Sequence, residues 1–404
     1  PEPVPEPLDG LVIEPPGLAS PEEARIWYCP WAQADGFRDT VFGLASLESA
    51  VADFTLMVAA PGEPEDRAAL EVAGRGAAML ELSRVAVRED SPGFVEFSAG
   101  PAAVSATVSG AGMLAADACV PYRPSTWHFA GGSTMPGEEL LLRIFNPYPE
   151  PAKVSVTAVS DIGVEALGLD NVLVEARTWH DIEFSTLLRQ RQNLVVTVVA
   201  VDGVVVPAMS LRTEADEAWW PGAGEATVWE FPVARVQGTD AFLVVHNTGL
   251  GPVEVVVDLF TPEGPILEAF SGSVSPEAPA RFDLSEFPGN PLAALVTASG
   301  PVTAAVVAVG EGEVAVMPGT PDLASTWLLP GLRRIPLHAT SLWLLNTSSE
   351  EALSATVSAL TATGSRGQTV VVPPGLPTQV DVTSVDALGF LVEASSPLSV
   401  RRCA

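Results

Sequence analysis

Four tryptophans set the terms on which this chain can fold. Trp27, Trp127, Trp229 and Trp327 stand 100, 102 and 98 residues apart. Each is followed 54 residues later by an acid: Glu81, Asp181, Asp283 and Asp381. The tripeptide Ser-Thr-Trp recurs at 125–127 and 325–327. Four identical offsets mean that one unit of about a hundred residues is written four times, and such a repeat constrains the architecture before any single element is read. It divides the 404 residues into a Pro/Glu-rich spacer, 1–23, and four modules, 24–123, 124–222, 223–322 and 323–404. Each module is long enough to bury a core.

Inside the unit the pattern is that of strands. In the second module Val154, Val156 and Ala158 alternate with Lys153, Ser155 and Thr157, the period of a half-buried strand. Leu140–Phe145 runs into Asn146-Pro147, a turn signal, and the apolar run 194–201 ends at Asp202-Gly203. Asn247 and Asn346 repeat Asn146 at 18 or 19 residues past the local tryptophan, where the first module has Ser46. Short strands at regular spacing with almost no helical period predict an all-β chain: a tandem array of four antiparallel immunoglobulin-like β-sandwich modules of about seven strands each. A propeller blade is the rival, but blades repeat at about half this length. Short helical turns are expected after the acids, at 185–187 and 285–287. The prolines of the first 23 residues indicate an extended spacer, with an edge strand through Leu11-Val12-Ile13 as the alternative.

Charge excludes some partners. There are 50 acids against 20 bases, a net charge of −30, which repels nucleic acid and anionic headgroups. No run of about eighteen apolar residues offers a membrane span, so attachment to a membrane would need an anchor upstream of Pro1. The cysteines are Cys29, Cys119 and Cys403. The first and last strands of a sandwich can lie close together, so a Cys29–Cys119 disulfide is feasible. It is our expectation here, with two unpaired cysteines as the alternative, and it favours an oxidising compartment. Cys403 is then the odd cysteine of the three.

The chain has no nucleophile elbow, no phosphate-cradling glycine loop and no zinc spacing. His128, His180, His246 and His338 are dispersed and read as strand-facing imidazoles. The repeat tryptophans read as core anchors rather than a sugar-stacking row. The repeat acids lie too far apart in sequence for paired carboxylates and are expected to bond a nearby N–H or to face solvent. No cofactor or metal is expected. Trp219 and Trp220 have no counterpart in the other modules. Neighbours on an extended chain point to opposite faces. One ring is therefore expected to plug a joint and the other to stand exposed as a contact for a partner or glycan; the alternative is that both seal the joint.

The Trp-x-x-Pro entry (Trp327, Pro330), the strand–Asn–strand turn and the phrase Pro374-Gly375 through Val380-Asp381-Val382 resemble bacterial immunoglobulin-like modules. With the bias of arginine over lysine (Lys153 is the only lysine), residues 24–404 resemble an uncharacterised family of secreted actinobacterial envelope proteins. The resemblance implies an extracytoplasmic location and a link to envelope glycan assembly, and it carries over no catalytic residue. The resulting expectation is a non-enzymatic scaffold whose partner is an envelope protein or cell-wall glycan. The alternative is a glycan-binding protein that uses junction aromatics.

Overall fold

The computed structural model describes residues 11–13, 25–57, 65–110, 113–116, 119–236, 238–310, 313–331, 340–347, 350–383, 385 and 387–403. The rest of the 1–23 spacer lies outside them. Strands dominate, with one α-helical turn, Phe184–Leu187, and 3-10 turns at Leu82–Arg84 and Leu284–Glu286 among the described residues. All three turns come just after a repeat acid. At Asp283 the acid caps the turn, its Oδ1 accepting from the Ser285 amide at 2.9 Å; the turns after Glu81 and Asp181 have no such side-chain cap.

The all-β class stands, but the uniform tandem of four immunoglobulin-like sandwiches does not. The strands form six sheets of unequal size, four of four strands and two of seven. In the first quarter one sheet orders Ile26–Cys29, Gly93–Phe97, Ala50–Leu56 and Asp66–Val72, and the other Gly76–Glu81, Arg38–Ser46, Ala102–Gly110 and Met113–Ala116. The second quarter repeats that order. The third and fourth do not split. Leu292–Val309 is one strand of 18 residues that runs through Ser299-Gly300-Pro301. Its first half pairs with Ala226–Arg235 and Val253–Thr261, and its second half with Asp240–Asn247 and Val314–Pro318. Gly389–Cys403 does the same in the fourth quarter. The sheet on Glu139–Asn146 and the one on Leu292–Val309 curl strongly into half-barrels. For the sheet on Leu292–Val309 the physical reason is continuity. A strand that does not break at the late hairpin carries one ladder through both layers, and the right-handed twist rolls that sheet up.

The repeat markers have structural jobs. Trp27, Trp127, Trp229 and Trp327 are all buried. Three of them donate Nε1 to a carbonyl at the late hairpin: Ala102 (2.9 Å), Val302 (3.0 Å) and Leu398 (3.0 Å). The Asn146 amide caps the carbonyls of Glu150 and Val174, and that of Asn247 caps Gly251 and Val274. Asp381 accepts from the Thr383 amide, whereas Glu81 pairs with Arg84 and Asp181 with Arg143.

The quarters close on one another in a ring. A strand that sends its tryptophan into its own core points the next residue outward, and there it meets the following quarter. The Tyr28 hydroxyl lies 2.8 Å from that of Tyr148. His128 is buried beside His246. The Glu230 carboxylate accepts from Ser399 Oγ at 2.6 Å and from Thr347 Oγ1. Leu328 joins the core of the first quarter. Gly43 and Gly331 meet backbone to backbone at that last joint, Ser105 Oγ donates to the Pro330 carbonyl at 3.1 Å, and Arg75 pairs with Glu393. In the first three quarters the outer edge of the tryptophan strand is bridged by the connector that follows: Tyr28 to Val120, His128 to Ala223, Glu230 to Thr320. In the fourth, Leu11–Ile13 takes that edge as a parallel strand, with Ile13 opposite Leu328. Of the two readings of the leading segment, these three residues follow the edge strand.

Candidate functional site

The end of each quarter turns inward. Met113–Ala116, Glu217–Pro221 and Val314–Pro318 close the first three quarters, and Arg401–Cys403 ends the fourth. One side chain ties three of these ends together. Asp216 accepts the Leu114 amide on Oδ1 at 3.3 Å and the Val314 amide on Oδ2 at 3.1 Å. Two edge-strand donors are thus met by one carboxylate.

A cavity of about 650 Å³ opens where these ends converge, and all four quarters contribute to its wall. Leu114, Ala315 and Met317 supply apolar surface. The connectors supply a second ring of residues. Counted two past the bridging residues Val120, Ala223 and Thr320 come Tyr122, Glu225 and Asp322, one per joint, all on the wall. Tyr122 is stacked on Trp127, with ring centroids 5.4 Å apart, and donates to the Gly222 carbonyl at 3.1 Å. Burial pushes its phenol well above the usual range. Glu225 accepts from Thr248 Oγ1 at 2.7 Å. Burial alone moves the Asp322 carboxyl upward. Arg123 and Arg401 complete the polar wall.

Glycine lets the connectors pass this close to the cores. A Cβ on Gly222 would lie 2.8 Å from atoms of the Trp127 and Phe129 rings, and one on Gly319 would lie 2.7 Å from Phe231 and 3.0 Å from Trp229. The first quarter has Cys119 at the equivalent position. Cys119 is bonded to Cys29, with Cα atoms 4.2 Å apart across 90 residues of chain. Cys403 is half-buried.

The exposed tryptophan expected at 219–220 is not there. Trp219 is 3% exposed and Trp220 1%. Alternation holds, but neither face of their strand is solvent. Trp220 enters the core of the second quarter. Trp219 crosses to the first quarter and stacks on Trp31 with centroids 5.7 Å apart, its Nε1 donating to Glu217 at 2.8 Å. Both rings back the cavity wall rather than the outer surface.

The first joint also buries a cation. Arg143 is 1% exposed, forked onto Asp181 at 2.8 and 2.7 Å, bonded to Asp90 at 2.7 Å, and 4.0 Å from the Trp31 ring centroid. Burial alone would depress its pKa; the bonds and charges of Asp181, then Asp90, more than restore it. No histidine cluster with metal-ligand spacing occurs among the described residues, outside which His338 lies. Sequence reasoning missed Arg123, Glu225, Asp322 and Arg401. The one available signal was register: Tyr122, Glu225 and Asp322 precede the next tryptophan by five, four and five residues.

No curated protein matches the chain. Among solved structures, the crystal structure of Streptomyces avermitilis alpha-L-rhamnosidase complexed with L-rhamnose is similar at 10% identity with a TM-score of 0.13. The alignment covers 89% of this chain and 54% of that one, so the chain spans about half the length of that enzyme, and a likeness this slight carries no argument. A family model described as a family of unknown function, DUF5719, matches residues 83–383. That is about three-quarters of the sequence, and the chain belongs to this family.

Proposed function

We propose that the chain is a non-enzymatic glycan-binding protein of the cell envelope that holds a saccharide unit in the cavity where its four quarters meet. The cavity carries the reading. At about 650 Å³ it lies within the roughly 300–1,000 Å³ common to small-ligand sites. Apolar wall from Leu114, Ala315 and Met317 suits the C–H faces of a sugar ring. The side chains of Arg123, Glu225, Asp322 and Arg401 offer donors and acceptors for its hydroxyls. Trp219, Trp220 and Tyr122 stiffen the wall from behind, which limits the ordering that binding requires. The Cys29–Cys119 bond supports an oxidising, extracytoplasmic setting. Trp219 and Trp220, expected as an exposed contact for a partner or a glycan, are buried, so the present reading places the saccharide in the cavity and not on those rings.

The test is calorimetric titration with soluble oligosaccharides released from bacterial cell walls. Ala315→Trp places an indole in the cavity from an exposed wall position. Saccharide binding by the native chain that disappears in this variant, at an unchanged melting temperature, is the expected result. Absence of binding by the native chain, or equal binding by Ala315→Trp, overturns the reading.

A further inference from the structure

We propose that the outer edge of Thr326–Leu328 is a peptide-binding seat, and that Leu11–Ile13 is a dissociable strand that fills it as the chain's own ligand. The seat is one of four equivalent edges. In every quarter the tryptophan strand pairs on one side with its own sheet, through Gly93–Phe97, Leu194–Asp202, Leu292–Val309 or Gly389–Cys403. On the other side the residue after the tryptophan turns an amide and a carbonyl outward. At three joints the connector meets both. Tyr28 exchanges two backbone bonds with Val120 (2.8 and 2.9 Å), His128 two with Ala223 (2.9 and 2.8 Å) and Glu230 two with Thr320 (both 2.8 Å). At the fourth joint the partner comes from the other end of the chain: Leu11, Val12 and Ile13 stand opposite Thr326, Trp327 and Leu328.

Two features make this strand a ligand rather than a fixed part of the sheet. Its ladder is short, three register positions against six on the opposite edge of the same strand. The edge is also indifferent to direction, since the connectors bridge it antiparallel and the leading strand pairs with it parallel. An edge that takes either direction recognises extended backbone, which is how sheets bind peptides by strand addition. Pro7 and Pro15 bound the segment, and proline cannot donate to a ladder, so the strand cannot lengthen past them. Between them Val12 and Ile13 are β-branched and favour extended backbone.

The edge requires an occupant. Trp327 and Leu328 are fully buried, and Leu328 packs in the core of the first quarter. An empty seat would leave backbone groups unpaired beside that core. Residues 14–24 tether the strand with a reach of about 40 Å. A tether of that length supplies an effective concentration on the order of millimolar, enough to keep a weakly pairing strand in place.

The probe is a fluorescein-labelled peptide of residues 9–16, followed by anisotropy. The full chain carrying Val12→Pro and Ile13→Pro has an open seat, because successive amides of a strand point to opposite sides and one of the two lost donors faces the edge. This chain should bind the peptide at least ~10-fold more tightly than the native chain, where the tethered strand competes. A peptide with the same two prolines should bind neither. Bound peptide should slow amide exchange across Thr326–Leu328 in the double variant, as the chain's own strand does in the native protein. If the double variant does not fold, a protease site placed at residues 17–20 opens the seat of the folded native chain after cleavage, and the cut chain should exchange its leading fragment for the labelled peptide. Equal binding to native and open chains, absence of binding to both, or exchange at Thr326–Leu328 that the peptide leaves unchanged overturns the proposal. A native chain that elutes as a dimer, with the double variant a monomer, would put the leading strand of a second copy in the seat and overturn self-occupancy.

Discussion

Replacing Gly43 with alanine should open the joint that closes the ring. A Cβ at this position would lie 2.7 Å from the Gly331 amide nitrogen, 2.8 Å from Ser105 Oγ and closer still to the Gly331 Cα. Carbon atoms pack at about 3.5–4.0 Å, so the overlap is on the order of 1 Å, and it falls mainly on backbone that cannot swing aside. Overpacking a fitted site costs ~1–3 kcal/mol. Separating the strands to relieve it would loosen the Ser105–Pro330 bond and the two bonds from Arg402 Nη1 to the carbonyls of Pro330 and Gly331, worth ~1 kcal/mol for a neutral bond and more for a charged one. A loss of about 3 kcal/mol is the working figure, since the clash and the broken bonds are alternatives in part rather than a sum. Urea unfolding reads it directly. Gly272→Ala is the control, because a Cβ there meets nothing within 4 Å and the glycine needs no positive φ; that variant should be neutral or slightly stabilising. If Gly43→Ala unfolds at the same urea concentration as Gly272→Ala, the first and fourth quarters do not touch as described.

Arg143→Met should lower stability by ~2–4 kcal/mol, below the full value for breaking a buried ion pair because Asp90 and Asp181 keep a third of their surface in water; a loss under about 0.5 kcal/mol in urea unfolding would show the pair to be ornamental. Burial, then the charge of His128, holds the His246 pKa down to about 4. A base depressed in the folded state takes up its proton first when unfolded, so stability should fall as pH drops from about 6.5 towards 4, and His246→Asn should flatten that part of the native profile; parallel profiles for the two proteins would place the imidazole in solvent. Removing the Cys29–Cys119 bond with paired alanines should cost ~2–5 kcal/mol, given the length of the loop it closes. Thiol labelling in denaturant without reductant should modify Cys403 alone, and three labels per chain would contradict the bond.

Much of the interior could be read from the sequence, because the repeat imposed the same task four times. Trp27 and its three counterparts are core residues in every quarter, and Asn146 and Asn247 cap carbonyls at the same turn. The joints could not be read in this way. The residue after each tryptophan is Tyr28, His128, Glu230 or Leu328, and each meets its neighbour with different chemistry, so no periodic pattern marks the contact. Trp219 shows the cost of that gap. Its alternation with Trp220 was correct, and the inference of exposure failed because the second face of the strand is covered by Trp31, about 190 residues away in sequence. The cavity was invisible for the same reason, since its wall exists only once the ends of four quarters are brought together.

Small-angle X-ray scattering of the full chain in solution tests ring closure most directly. A compact body of about this size should give a radius of gyration of ~22 Å. Four units of about a hundred residues strung in a line should give ~40 Å or more. A value near the first agrees with quarters that close on one another around the cavity. A value near the second, with a distance distribution extended along one axis, would contradict the ring and remove the binding site with it.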